Sequence, residues 1–284
     1  MATPTIRSTS DPAVALEAGG AFLLTRPELN SITLGVLADG IAGYDNGRYW
    51  WTCRGEEVVA FAMQSTPRFR AVVSPADREA VGALVDTMVE DAPDLPGVMA
   101  ESATAASFAG RWAEVRDIPV FPVEAQRIHR IRRVHHPEGV GGALRPAGPA
   151  DRPVLLGWTA AFLKDTDSIP FDPAHLVDRH LRADRMRLWD VAGDPVSMAA
   201  VSAAAGGIAR VAFVYTPPEH RRHGYAAACV AALSERVLGE GLGCILHTQL
   251  HNPTSNGVYR RIGYVPLAEV LIYRFGDLPR TVPQ

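Results

Sequence analysis

The chain has 284 residues, enough for one large domain or two of ordinary size, and 47% of them are apolar, enough for a real core that folds unaided. The formal net charge is minus three and the arginines are scattered, so no basic field argues for a nucleic acid partner. The uncharged apolar run Val196 to Ala209 is too short to span a bilayer and carries a Gly-Gly turn, so no membrane span is expected.

Of the 28 basic side chains only Lys164 is lysine, a bias of codon usage more than a physical requirement. The cysteines, Cys53, Cys229 and Cys244, are odd in number and lack metal-ligand spacing. With no signal-peptide pattern at the start, the thiols read as reduced and internal, and the protein as cytoplasmic.

In chain order, the first dozen residues are polar and proline-containing and read as a loose terminus. A helix is predicted over Leu29 to Ala42. Tyr49 to Cys53 and Val58 to Met63, joined by Arg54-Gly55-Glu56-Glu57, form a hairpin signal. Trp50 and Trp51 are adjacent on that hairpin and both are assigned to the core; a tryptophan left exposed in this half would mark a homodimer surface. Ser74 reads as an N-cap, Pro75 as first helical position and Asp77 as capping-box acid, ahead of a helix with Val81, Leu84, Val85 and Met88 on one face. Gly97 to Ala100 is a short strand, and Phe108, Trp112 and Val115 stripe another helix.

Ile118 to Val123 reads as a linker, followed by a strand from Ile128 to His136 and glycines at 139, 141 and 142. Leu144 to Asp151 gives a strand and turn, and Leu155, Leu156, Trp158 and Phe162 mark a helix. The segment Asp165 to Asp172 is an acidic loop containing Asp167 and Ile169-Pro170-Phe171. It reads as a wet loop, with attraction of a cationic amine as the minority reading. A second helix is expected over His175 to Arg185, then strands over Met186 to Ala192 and Val196 to Ala203.

The chemistry concentrates next. Ala212 to Tyr215 is a β-favouring run that Thr216-Pro217-Pro218 ends, because proline cannot donate to a sheet ladder. After Glu219 and His220 comes Arg221-Arg222-His223-Gly224-Tyr225-Ala226, opening a helix with Ala226, Val230, Leu233 and Val237 on one face. Amides at a helix start point outward and the helix dipole adds positive charge, so an anion docks there; Gly224 lets backbone come close to it. Gly239-x-Gly241-x-Gly243 follows a helix instead of opening one, which rules out a dinucleotide fingerprint. Cys244 to Leu250 is a strand, and Asn252, Pro253 and Gly263 bound a short helix that carries Tyr259. His247 and His251, four apart on a strand, stand roughly 13 Å from each other, so no metal site is expected.

Arg221-x-x-Gly224-x-Ala226 after a strand resembles the pyrophosphate loop of the GCN5-related N-acetyltransferase (GNAT) superfamily. Asn252-x-x-Ser255-x-x-x-Tyr259-x-x-x-Gly263-Tyr264 is similar to that family's downstream element, at the expected distance. The resemblance implies an α/β fold with a mixed, mostly antiparallel central sheet flanked by helices. Hairpin, helix, strand and short helix recur in both halves, which implies two copies. The expected divisions are a degenerate GNAT-like domain at 1–125, a linker at 126–142, a catalytic domain at 143–276 and a tail at 277–284. The first copy has no Arg-x-x-Gly turn, carries Phe108 and Trp112 in place of a tyrosine, and is read as shaping or covering the acceptor site.

By resemblance the cofactor is acetyl-CoA, held by Phe213, Val214 and Tyr215, by Arg221, Arg222, His223, Gly224, Tyr225 and Ala226, and by Asn252, Ser255 and Asn256. Tyr259 is the implied acid for the leaving thiolate, and the strand amide near Val214 the oxyanion donor. The implied reaction is direct acetyl transfer to a primary amine of a small molecule. A different acyl donor, a protein amine, or a non-catalytic acyl-CoA-binding regulatory module are the alternatives. The glutamate that many relatives carry on this strand is absent from Ala209-Arg210-Val211-Ala212; a water relay or His251 replaces it, with His247 earlier in its strand.

Overall fold

The computed structural model describes residues 3–39, 46–166 and 172–277. The end of the helix expected at Leu29 to Ala42, Asp167, the Ile169-Pro170-Phe171 segment and most of the 277–284 tail lie outside the described residues. The chain divides into two compact units, 1–127 with 268–284, and 128–267.

The first unit contains β1 (Thr5–Thr9), α1 (Pro12–Leu23), α2 (Ser31–Asp39), β2 (Arg48–Arg54), β3 (Glu57–Gln64), β4 (Ala71–Val73), α3 (Arg78–Asp91), β5 (Gly97–Glu101), α4 (Ser102–Arg116) and β6 (Val120–Ile131) up to Arg127. The second contains β7 (Ala143–Pro146), α5 (Arg152–Asp165), α6 (Pro173–Arg182), β8 (Met186–Val191), β9 (Asp194–Val201), β10 (Ile208–Tyr215), α7 (Tyr225–Gly239), β11 (Gly243–Gln249), α8 (Pro253–Arg261) and the start of β12 (Val265–Phe275). The two successions are the same, element for element, so the fold is present twice. In each, antiparallel strands lead to one parallel pair, β4 with β5 and β10 with β11.

The residues of β6 and of β12 are each divided between the two units. Residues from Ala268 on belong to the first unit, where Val270 to Arg274 pair with Glu101 to Gly97. Residues 128–131 belong to the second, where β6 lies beside β11. The sequence-based divisions therefore shift: 128–142 is part of the second unit instead of a free-standing linker, and 268–276 is part of the first. The reason is continuity of strand. β6 runs twelve residues and β12 eleven, each long enough to serve beyond its own unit.

Three further expectations are corrected. The opening residues are not loose: Thr5 to Thr9 pair with Cys53 to Tyr49, and α1 follows with Asp11 as N-cap. Ser74 is not the cap of α3; its hydroxyl accepts the Phe61 amide, and the Asp77 carboxylate takes the Ala80 amide at 2.9 Å. Asp172 is not simply wet loop, since it caps α6 through the Ala174 amide. Trp50, Trp51 and Trp112 are all buried, so none offers a pairing surface. Trp112 stacks on Phe275 at 5.1 Å and on Phe108 at 5.9 Å, contacts each worth about 0.5–1.5 kcal/mol beyond area burial.

In the second unit, α7 covers one face of the sheet. Its small residues Ala228, Cys229 and Ala231 are fully buried and let the helix settle against Val196, Ala209, Val211 and Leu246. The opposite face holds α5 and α6 over Leu188, Met198, Ala200 and Tyr215. No helix among the described residues is long and apolar enough to cross a membrane.

Candidate active site

The site is built at one irregular point in β10. Val211 pairs with Val201 and Ala212 with Ala200, but Tyr215 pairs with Met198, so three steps along β10 match two along β9. The extra residue is a β-bulge, and Phe213 takes φ +51°, a conformation that a bulky side chain adopts only under constraint. The bulge changes which way the side chains face. Val211 and Val214, three apart, both pack on the α7 side, whereas Phe213 and Tyr215 both turn to the α5 and α6 side. There Phe213 meets Phe162 of α5 and His180 of α6, each at 5.4 Å between ring centres. That packing holds the strained backbone in place.

On its other side β10 pairs with β11 only from Ile208 to Val211, opposite Gly243 to Leu246. Among the described residues, Phe213 and Val214 thus have no ladder partner on either flank. Their backbone groups are open to an extended, amide-bearing chain. Ser197 anchors the strand's end by donating to the Tyr215 carbonyl at 3.1 Å, with Thr216 Oγ1 2.8 Å away.

Past one turn of 3₁₀ helix at Pro218–His220, the chain enters α7 through two left-handed residues, Arg222 at φ +68° and Gly224 at φ +83°. Gly224 is the N-cap and offers no side chain, and the first helical hydrogen bond is Ala228 N to Gly224 O. Among the described residues the amides of Arg222 to Ala227 find no acceptor in the chain. They form an exposed row of donors at the positive end of a fifteen-residue helix. The counterpart in the first unit cannot do this, because the Asp77 carboxylate already sits on the α3 N-terminus.

Each predicted loop residue has a defined place. Arg221 closes the loop: Nε donates to the Thr216 carbonyl at 2.9 Å, Nη2 reaches Asp165 at 3.2 Å, and the guanidinium lies 5.8 Å from the Tyr215 ring centre. Asp165 is therefore a partner of the loop. His223 stacks on Tyr225 at 5.4 Å, and Ala226 lies in the first helical turn.

Tyr259 is half-buried on α8, edge-on to Tyr264 at 6.0 Å and packed against the α7 core. Burial, with the nearby Cys229 thiol, raises its phenol above the usual tyrosine value, so it remains a proton donor. Asn252 and Asn256 hold the turn that carries it. Asn252 Oδ1 caps the Ser255 amide at 3.0 Å. Asn256 donates to the carbonyls of Asn252 and Gln249 and accepts from Thr248 Oγ1 at 2.7 Å. These two amide side chains position α8 and have their hydrogen bonds within the chain.

The two histidines named in sequence stand in different surroundings. His251 is exposed in the turn after β11. His247 is pulled down to about 3 by burial and by Arg210 and His129, which makes it a poor proton acceptor at neutral pH. Sequence reasoning also missed Val140, against which Gly224 packs; nothing local links a loop valine to a glycine 84 positions later.

Residues 191–271 match the FR47-like protein family model. None of the curated proteins matches this chain in sequence. Among solved structures, a GCN5-related N-acetyltransferase from Sphaerobacter thermophilus is similar at 18% identity, covering 97% of each chain, with a TM-score of 0.65. The fold is a GNAT fold in tandem. A GNAT-family acetyltransferase from Colwellia psychrerythraea is similar at 11% identity over 96% of this chain and 100% of its own, with a TM-score of 0.62. A tandem GNAT protein from the clavulanic acid biosynthesis pathway is similar at 12% identity over 97% and 99%, with a TM-score of 0.56.

Proposed function

We propose that the second unit is an acetyl-CoA-dependent N-acyltransferase that acetylates a primary amine of a small molecule by direct transfer. The observation that carries the reading is the break in β10 pairing at Phe213 and Val214, next to the uncapped start of α7. Acetyl-CoA, when bound, supplies the acetyl thioester; the rest of the chemistry belongs to this chain.

The residues fit that cofactor. A Cβ on Gly224 would lie 2.8 Å from Val140 Cγ2, so only glycine lets the loop take this turn and keep its row of amides clear of side chain. The amides of Arg222 to Ala227 would hold a pyrophosphate, with Arg222 adding charge. The open backbone of Phe213 to Tyr215 would pair with an amide-bearing arm, and the Val214 amide would stabilise charge on the acetyl oxygen. Tyr259 Oη would deliver the proton that the leaving sulfur requires. Direct transfer is favoured because no thiol is activated: Cys229 is pushed up to about 12 by burial, Cys244 is raised, and Cys53 is buried. With no carboxylate on β10, an ordered water relay deprotonates the amine.

The test is thiol release from acetyl-CoA with a panel of primary amines, alongside thermal unfolding with and without acetyl-CoA. Turnover that falls in Tyr259→Phe while the acetyl-CoA-induced rise in melting temperature persists supports the assignment. A thermal shift with no turnover of any amine supports instead a regulatory acyl-CoA-binding module.

A further inference from the structure

Beyond the acyl-donor site, the second unit carries half-buried basic side chains that the chemistry proposed above does not use. In β10, Ala209 and Val211 face α7, so Arg210 between them faces the α5 and α6 side. In β11, Cys244 and Leu246 face α7, so His247 shares Arg210's side. In β6, Ile131 faces α7, which puts Arg130 there too. The strands are neighbours in the order β6, β11, β10, so the three basic residues form a row across the sheet.

The row lacks counter-charge. Among the described residues no carboxylate pairs with Arg210 or Arg130, and the Arg130 Nε is buried with no hydrogen-bond partner. Burial alone pushes the Arg210 guanidinium below the usual arginine value, with no carboxylate to offset it. A guanidinium partly withdrawn from water with no carboxylate beside it is costly, and an incoming anion would offset that cost. Among the described residues, the loop acids that would instead favour a purely cationic acceptor are engaged elsewhere, Asp165 with Arg221 and Asp172 at the start of α6.

This cation is too far from the donor loop to serve the cofactor's phosphates. Arg210 precedes Tyr215 by five strand residues, about 16 Å, and the loop lies beyond that. It precedes the bulge at Phe213 by only three, on the face where Phe162, His180 and Phe213 supply aromatic wall.

We propose that Arg210 is the acceptor's anchor, and that the amine acetylated by this protein also carries a carboxylate. The guanidinium holds the carboxylate while the amine faces the Phe213–Val214 bulge, which selects amino acids over simple amines. This rests on the transferase reading above.

The experiment compares matched acceptors that differ only in charge: glycine with glycinamide, β-alanine with β-alaninamide, and phenylalanine with phenylalaninamide. Thiol release is measured, and in parallel the shift in melting temperature that each acid causes in the presence of CoA. The wild type should favour acids over amides at least tenfold in kcat/KM. Arg210→Gln should erase that preference through KM, abolish the shift caused by the acids and leave the acetyl-CoA shift intact. Arg210→Lys, which keeps the charge and guards against loss of fold, should retain part of the preference. Equal or better use of the amides, or equal loss for acids and amides in Arg210→Gln, overturns the proposal, as does failure of every acid both to turn over and to shift the melting temperature. A shift caused by acids and lost in Arg210→Gln, with no thiol released from any acceptor, would leave the anchor standing and sink the transferase reading.

Discussion

Gly224 and Val140 are in steric register: a Cβ on Gly224 would come within 2.8 Å of Val140 Cγ2, at a backbone φ of +83°. Gly224→Ala therefore meets two penalties, about 1–2 kcal/mol for the left-handed backbone and an added clash. It should lower the melting temperature and remove the shift caused by acetyl-CoA. The double variant Gly224→Ala with Val140→Ala should regain the clash component and not the backbone component, which thermal unfolding of the four proteins in the cycle would separate.

Tyr259→Phe removes a hydroxyl for which no partner is found among the described residues. Stability should change by no more than about 0.5 kcal/mol. Turnover should fall on the order of a hundredfold or more, as for loss of a general acid. Because burial holds the phenol protonated above its ordinary range, the wild-type rate should show no alkaline decline at the pH where a free tyrosine ionises. A decline there that vanishes in Tyr259→Phe would contradict the buried-acid assignment.

Asn256→Ala strips the turn before α8 of its side-chain bonds to Thr248, Gln249 and Asn252. The Gln249 and Asn252 carbonyls keep the amides of Asn252 and Asn256 and Thr248 keeps His129, so a cost of about 0.5–1.5 kcal/mol per lost bond is expected. If Asn256 positions Tyr259 and does not touch the cofactor, kcat should fall while the thermal shift with acetyl-CoA is preserved. Loss of the shift would return Asn256 to the cofactor site.

His247 gives the second unit a pH dependence of defined sign. Its folded value is pulled down to about 3 from 6.5, by burial first and then by Arg210 and His129. The native state holds it neutral while the unfolded chain takes up a proton below about pH 6.5, so the contribution is complete above that pH. As pH falls from 6.5 towards 3 it is lost, at up to about 1.4 kcal/mol per pH unit. Urea unfolding at pH 7.5, 6 and 5 should show this slope in the wild type and a flatter one in His247→Gln. Equal slopes would mean that His247 already protonates in the folded state.

Local pattern was enough to place the loop to which the proposed function assigns the acyl donor. A strand stopped by Pro217 and Pro218, a glycine opening an alanine-rich helix, and Asn252, Tyr259 and Gly263 at fixed offsets are short-range features, and short-range features are set by propensity, capping and turn geometry. For the same reason the repeated order of elements was visible twice over. The bulge was not legible, because Phe213 takes a left-handed backbone only when Phe162 and His180 pack on it from two helices. Nor were the roles of the asparagines, Arg221's hold on Asp165 or the crossing of β6 and β12, since each depends on which distant strand or helix is brought alongside. Sequence determined which residues could carry acyl-transfer chemistry. Only the tertiary structure decided that Arg210 would be half-buried with no carboxylate beside it among the described residues, because desolvation is a property of surroundings that the chain acquires on folding.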